Sequence, residues 1–467
     1  MVRRPSEYIG SLNDGRRVFY RGSIVSSIAD HPILGIAVRH LAKLYEMPDR
    51  TYEDKELGVI SKYYKIPRGS EDLVDRHRMI YRHTYACNGI FNIGQAIGSD
   101  ALFALMIVSR KVDAKMGSKY YARVMDYYRY VARKDLTVAV AQTDVKGDRS
   151  KRPHEQRDPD LYLRVVDVRD DGIVVRGAKA HTTQAAVVDE IIVIPTRAMT
   201  QRDADYAVAF AVPANAKGLS MVVRPIDEVE GNRSAVLSTK DYELETLTIF
   251  DNVFVPWERV FMFREYEFAG YLANLFATYH RFTAVSYRSA MANLYIGAAS
   301  LMAKANGIGD AHHVRNRIID MIMWKEIMRM GAIASAVTAS IEEGIAVPNP
   351  LYTNIAKLYS NANFVKVLEG LVDIAGGIIA TMPSEEDLRG ELGEKIAKYL
   401  AGAVDGRERI KILRIAKELA GSSSFTGYSL ALMIHAEGSI EASRISLLRE
   451  YNISEAEELV KKVIDET

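Results

Sequence analysis

The hydrophobic period of this chain changes twice, and that change restricts the folds open to it. Up to about residue 135, apolar residues recur at three- and four-residue spacing in segments 34–45, 71–83 and 99–132, which is the helical period. The pattern then turns strand-like. Segments 161–168 and 173–176 are β-rich and flank Arg169-Asp170-Asp171-Gly172, an Asp-Gly turn signal for a hairpin. Further strand-like runs at 190–195, 206–212, 219–223 and 247–255 predict an antiparallel sheet or barrel of about 120 residues. From about residue 266 the helical period returns, at 290–305, 313–343, 355–374, 410–419 and 441–464. Several of these segments carry Ala, Gly, Met and Leu around much of their circumference, which predicts burial in a bundle. The expected class is α+β, mainly α. An N-terminal helical domain would span 1–137, a middle antiparallel β domain 138–265, and a C-terminal helical bundle with an extension 266–467.

Composition narrows the function classes. The 467 residues are too many for one ordinary core, so two or three units are expected. Lys plus Arg number 61 against 60 Asp plus Glu, so the basic excess of a general nucleic-acid binder is missing. No apolar run approaches the roughly 20 residues that span a bilayer. The opening MVRRPSEYIG has no apolar stretch behind its basic residues, unlike a secretory signal. Cys87 is the one cysteine, which excludes a disulfide framework and any metal site built from several thiolates of one chain. These features point to a soluble, cytoplasmic protein without membrane or nucleic-acid partners. GxGxxG, Walker, GxSxG, HExxH and CxxC patterns are absent, so dinucleotide-fold, phosphate-loop, serine-hydrolase and zinc-protease readings lose ground.

A small β unit between two helical ones leaves a cleft at the junction, where cofactor pockets tend to sit. Four segments could serve it. Ala141-Gln142-Thr143-Asp144-Val145-Lys146-Gly147-Asp148-Arg149 reads either as a loop offering donors to a ring or phosphate, or as an exposed charged connector. Arg176-Gly177-Ala178-Lys179-Ala180-His181-Thr182-Thr183-Gln184-Ala185 ends a strand in small and hydroxyl residues. Thr182 or Thr183 there either donates to a flat ligand or satisfies a local turn. His280 suits a general base by its ordinary pKa, or is a packed histidine. Glu245 falls on the side of Leu247 by strand alternation; a carboxylate facing inward needs a partner or a function. Glycines at Ile374-Ala375-Gly376-Gly377 and Ala436-Glu437-Gly438-Ser439-Ile440 read as caps and tight turns, or as openings for a dinucleotide.

Taken in order, several strings resemble the flavoprotein family that contains 4-hydroxyphenylacetate 3-hydroxylase and 4-hydroxybutyryl-CoA dehydratase/vinylacetyl-CoA isomerase. They are Tyr8-Ile9-Gly10-Ser11-Leu12, His31-Pro32, Thr143 to Arg149, Asp158-Pro159-Asp160-Leu161, Gly172 to His181, Phe250 to Pro256, Tyr279-His280-Arg281, Asp373 to Gly377 and Thr381-Met382-Pro383-Ser384. The wording is nearer the dehydratase branch. The resemblance implies an acyl-CoA dehydrogenase-like fold, a homotetramer and FAD. It implies FAD contacts at Gln142, Thr143, Asp148, Arg149 and Thr183. It also implies contacts at Gly376, Gly377, Gly438 and Ser439, to the FAD of the same or a neighbouring subunit. His280 would be the catalytic base and Glu245 its assistant.

The dehydratase holds a [4Fe–4S] cluster through three cysteines and a histidine. The resemblance places Cys87 and His280 at two of those positions, but Phe91 and Tyr287 at the other two, and Ala284 where the dehydratase has a tyrosine. A cluster generally needs four protein ligands, usually thiolates, and Phe91 has no atom that can ligate, so no cluster and no metal ligands are expected. The hydroxylase's phenol-binding positions would fall near Ile90, Gly94 and Val140, none of which can hold a phenolate. The implied activity is FAD-dependent proton-transfer or redox chemistry on a CoA thioester or similar acyl substrate. The alternatives are a reduced-flavin-dependent aromatic hydroxylase fed by a separate flavin reductase, and a flavin-binding homologue without catalysis.

Overall fold

The structure, a computed structural model, describes residues 2–226, 235–422 and 425–465. Helices Leu34–Ala42, Ser70–Ala86, Ala96–Met116 and Tyr120–Arg133 form the first helical layer. The apolar period at 99–132 belongs to two helices, not one. Gly117 adopts φ 71° and closes the first, and the Asp113 carboxylate accepts from the backbone N of Tyr120 and Tyr121, both at 2.8 Å, to start the second.

The strands in chain order are β1 (Val18–Tyr20), β2 (Ser23–Ile24), β3 (Thr51–Asp54), β4 (Gly58–Ser61), β5 (Val138–Ala141), β6 (Arg164–Arg169) and β7 (Gly172–Lys179). They continue with β8 (Glu190–Val193), β9 (Val208–Pro213), β10 (Leu219–Val223), β11 (Thr246–Pro256) and β12 (Val260–Phe263). One sheet runs β2-β1-β10-β11-β7-β6 and a second β12-β9-β8-β5. The expected hairpin is β6–β7, with Arg169 opposite Gly172. The sheets are not wholly antiparallel: β1 lies parallel to β10 and β5 parallel to β8. At three residues, β1 is too short to show alternation in the sequence, yet it extends the sheet as an added strand. The two sheets share one apolar core, in which Ile191, Val193 and Phe210 meet Leu219, Phe250 and Val253.

The last layer is built on the 40-residue helix Tyr266–Ala305, packed with His312–Val337, Pro350–Ala375 and Gly406–Ala420. Trp324, Phe364 and Tyr295 cluster at its centre. The helix expected over 313–343 ends at Val337, where a small hairpin of β13 (Ser340–Glu342) and β14 (Ile345–Val347) turns through Glu343-Gly344, both at positive φ. Segment 441–464 is likewise two helices, Ile440–Glu450 and Ile453–Asp465. Helix Ala96–Met116 meets the smaller sheet at Gly98: a Cβ there would stand 2.4 Å from Val138 Cβ, so only hydrogen lets helix and strand approach this closely. Among the described residues no helix is long and apolar enough to cross a membrane.

Candidate active site

A cavity of about 1520 Å³ opens where the β sheets meet the long helix Tyr266–Ala305 and the C-terminal helices. The loop after β5 reaches it because Asp144 is tied down. The Asp144 carboxylate pairs with Lys179 Nζ at 2.9 Å and accepts from Leu163 N at 3.0 Å, all buried. Lys179 Nζ also donates to the carbonyls of Gln142 and Ile194. Burial pushes the Asp144 carboxyl up and the Lys179 ammonium down, each opposed by the other charge. This pair fixes the loop so that Gln142 and Thr143 line the cavity while Lys146 and Arg149 stand at its wall. Burial also lowers Lys146, next to the Arg149 cation.

Three carboxylates line the same space, each in a different state. Glu245 Oε1 accepts from Thr183 Oγ1 at 2.8 Å and from the Tyr428 hydroxyl at 2.9 Å, while Oε2 is buried without a partner. Burial pushes this carboxyl up, and the two hydroxyls pull it back. The Arg224 guanidinium lies 4.2 Å from the Tyr428 ring centroid, holding that ring in place. Glu437 is locked. Its Oε2 stands 2.6 Å from Arg288 Nη2, and Oε1 accepts from the Tyr287 hydroxyl at 3.1 Å. Burial alone would raise Glu437, but Arg288 holds it below the usual carboxylate range. Gly438 follows at φ 95°, and a Cβ on it would stand 2.8 Å from an Arg281 nitrogen; the turn needs glycine to pass this guanidinium. Glu243, 8% exposed, accepts no hydrogen bond among the described residues, and its Oε1 is buried unpartnered. Burial pushes its carboxyl up to about 8.

His280 projects from the long helix, stacked on Phe276 with centroids 5.4 Å apart and planes at 12°. Its Nδ1 faces Asp100 Oδ2 at 3.5 Å. Asp100 is fully buried and is held by Arg76 at 2.7 Å and Thr283 at 3.1 Å through its other oxygen. Neither His280 Nδ1 nor Asp100 Oδ2 makes a hydrogen bond among the described residues, so Asp100 places a buried negative charge behind the imidazole without fixing its direction, and His280 lines the cavity.

Beside His280, Phe91 and Tyr287 stack face to face, centroids 4.5 Å apart and planes at 10°, and both line the cavity. Cys87 does not line it. It sits buried with His40 and Asp241, their side-chain S, N and O atoms within 4.8 Å of one another. Asp241 accepts from His40 at 2.8 Å, Lys43 at 2.5 Å and Asn88 at 2.5 Å. Burial opposes a charge on His40, but Asp241 outweighs it and holds the imidazole up, to about 10.

Of the residues singled out from sequence, the cavity brings together Gln142, Thr143, Arg149, Thr183, Glu245, His280, Gly438 and Ser439. Three stand elsewhere. Asp148 is exposed and spends its carboxylate on Ser150, whose N and Oγ donate at 3.0 and 2.7 Å. Gly376 and Gly377 are exposed at the end of helix Pro350–Ala375, outside the cavity. Sequence reasoning missed Glu243, Tyr428, Glu437 and Asp100. Glu243 carried a weak signal, being a second carboxylate two residues before Glu245 in the segment that leads into β11; Asp100 carried none, lying inside an apolar helix far from His280 in sequence.

A helical–β–helical fold around such a cavity is the acyl-CoA dehydrogenase-like architecture, and known proteins agree. The chain belongs to the 4-hydroxyphenylacetate 3-hydroxylase family: the family's N-terminal model matches residues 5–262 and its C-terminal model residues 269–465. It is 34% identical to 4-hydroxybutyryl-CoA dehydratase/vinylacetyl-CoA-Delta-isomerase of Clostridium aminobutyricum, over 99% of both chains. It is 30% identical to the 4-hydroxyphenylacetate 3-monooxygenase oxygenase component of Thermus thermophilus, over 90% of this chain and 88% of that one. Among solved structures, an oxygen-tolerant archaeal 4-hydroxybutyryl-CoA dehydratase from N. maritimus superimposes with a TM-score of 0.94 at 31% identity, covering 100% of this chain and 96% of that one. The oxygenase component of 4-hydroxyphenylacetate 3-monooxygenase complexed with FAD superimposes with a TM-score of 0.90 at 27% identity, covering 99% and 98%.

Proposed function

We propose that this protein is an FAD-dependent enzyme that moves protons on a CoA thioester or similar acyl substrate, without an iron–sulfur cluster. The observation that carries this reading is the Phe91–Tyr287 stack beside His280. The resemblance assigns both aromatic positions to cluster thiolates; Phe91 offers no ligating atom, and the Tyr287 hydroxyl is spent on Glu437. Cys87, the remaining thiol, is turned into the His40–Asp241 charge network, where two cations already compensate the carboxylate. This donor set does not suit a cluster.

FAD suits the cavity. Its volume accommodates a dinucleotide, Gln142, Thr143 and Thr183 offer polar atoms to a ring, and Lys146, Arg149 and Arg197 line the wall as cations for phosphates. When bound, FAD supplies an electron-accepting ring beside the substrate. The protein's own part is acid–base. A thioester carbonyl acidifies the neighbouring C–H, and His280, with the Asp100 carboxylate 3.5 Å from its Nδ1, takes that proton. Glu245, held by Thr183 and Tyr428, orients the acyl chain. Phe91, Ile97 and Val140 give the pocket an apolar wall.

We further propose that the chain works as a homotetramer in the cytoplasm. Ile319, Ile322, Met323 and Met330 expose an apolar stripe on helix His312–Val337, a surface of the kind that subunits cover. Flavin and iron content of anaerobically purified protein tests the cofactor reading. One FAD and no iron per chain is expected; four irons per chain would defeat the cluster-free version. Oxygen-dependent turnover of a phenol with reduced flavin supplied by a reductase would move the assignment to the hydroxylase reading.

A further inference from the structure

Glu243 is used by nothing described so far. It is buried in the cavity wall, accepts no hydrogen bond among the described residues, and leaves Oε1 without a partner. An ionised carboxylate in that position would be unpaired, which is costly; a neutral carboxylic acid is not. The other two carboxylates differ. Glu437 is neutralised by Arg288, and Glu245 is fixed by two hydroxyl donors. Glu243 therefore carries a proton that no hydrogen bond among the described residues fixes, in a cavity that His280 also lines.

We infer that Glu243 is the proton donor of this cavity, delivering its carboxyl proton to C4 of an unsaturated acyl thioester while His280 removes one from C2. The inference rests on the thioester reading above. With a but-3-enoyl thioester, the C2–H bond breaks and its proton goes to His280 Nε2. The electron pair joins the thioester carbonyl and the C3–C4 double bond in one conjugated anion. That anion takes the Glu243 proton at C4, a C4–H bond forms, and the double bond ends between C2 and C3. Nothing is oxidised or reduced. His280 leaves as imidazolium and Glu243 as carboxylate, and proton return between them through solvent resets the site.

The surroundings set the state of Glu243 from several elements. Burial dominates; Glu245 and Glu437 push the carboxyl up, while His40 and Arg224 pull it down. The Tyr287 and Tyr428 hydroxyls are within electrostatic reach of it. Glu243, Glu437 and His280 all line the same cavity, and the Arg288 and His280 charges outweigh burial to lower Glu437.

The test uses the FAD-loaded full chain with vinylacetyl-CoA in D₂O, following deuterium at C2 and C4 by NMR. Wild-type protein should label both carbons, and C4 labelling should fall as pH rises through about 8, where the acid is lost. Glu243→Gln keeps the shape without the proton. It should lose C4 labelling by about 10²- to 10⁴-fold while C2 labelling continues, and Glu243→Asp should regain part of it. Unchanged C4 labelling in Glu243→Gln would overturn the assignment. Equal loss at both carbons would overturn it too, marking a structural residue. Wild-type protein that labels neither carbon refutes the thioester reading, which is a separate failure from C2 labelling without any dependence of C4 on Glu243.

Discussion

Replacing Glu437 by Gln should destabilise this protein by about 3–5 kcal/mol. The magnitude follows from the geometry. Arg288 Nη2 and Glu437 Oε2 are 2.6 Å apart, with side chains 0% and 2% exposed. At an effective dielectric of about 20, two unit charges at that separation attract by about 6 kcal/mol, and the cost of drying both ions offsets part of it. Gln keeps the shape and can still accept one hydrogen bond, but it strands a buried guanidinium with no opposite charge. Lys357 stands nearby, donating to Gly438 O at 2.6 Å, and loses the same counter-charge. Because the folded carboxyl is held below its ordinary value, the contribution is present above about 4.5 and disappears as pH falls through the folded value. Urea denaturation of wild type and variant at pH 7 and pH 4 measures it. A loss below 1 kcal/mol at pH 7, or an equal loss at both pH values, would refute the buried-pair account.

Three further outcomes follow from single sites. His280→Ala should slow deuterium exchange at C2 of an acyl-CoA by about 10²- to 10⁴-fold, and Asp100→Asn should slow it less, because it removes only the charge 3.5 Å from Nδ1. Gly98→Ala should destabilise by about 1–3 kcal/mol through overpacking, since the new methyl meets Val138 Cβ at 2.4 Å; thermal unfolding measures it. Burial lowers Lys357 to about 7, so the unfolded chain binds more protons between about 7 and 10.5 and stability gains from this group as pH rises across that window. Lys357→Met should remove that gain, read as a smaller rise in the urea midpoint between pH 7 and pH 9.

The order of layers was legible because hydrophobic period is a local property. The helix–strand–helix switch near residues 138 and 266 and the Asp-Gly hairpin of β6–β7 needed no tertiary knowledge. Helix ends were less legible. Asp113 starts a helix with its side chain, and Glu343-Gly344 turns a hairpin inside what reads as one apolar period. The parallel partners of β1 and β5 were hidden, since pairing direction is set by where distant segments dock. In the site, Thr143 and His280 lay in strings long enough to resemble a family, while Gln142 and Thr183 stood out as polar residues flanking such strings and Glu245 as a carboxylate at an inward position. Glu243 was visible beside Glu245 in sequence but is distinguished only by accepting no hydrogen bond among the described residues. Asp100 and Tyr428 act across 180 or more residues of chain, and only the packed structure pairs them with His280 and Glu245.

The most direct test of the central claim is deuterium exchange at C2 of vinylacetyl-CoA by protein loaded with FAD and stripped of iron by a chelator. Cluster-free proton chemistry predicts exchange at the same rate before and after chelation, dependent on His280. Exchange that appears only after iron and sulfide are supplied would contradict it.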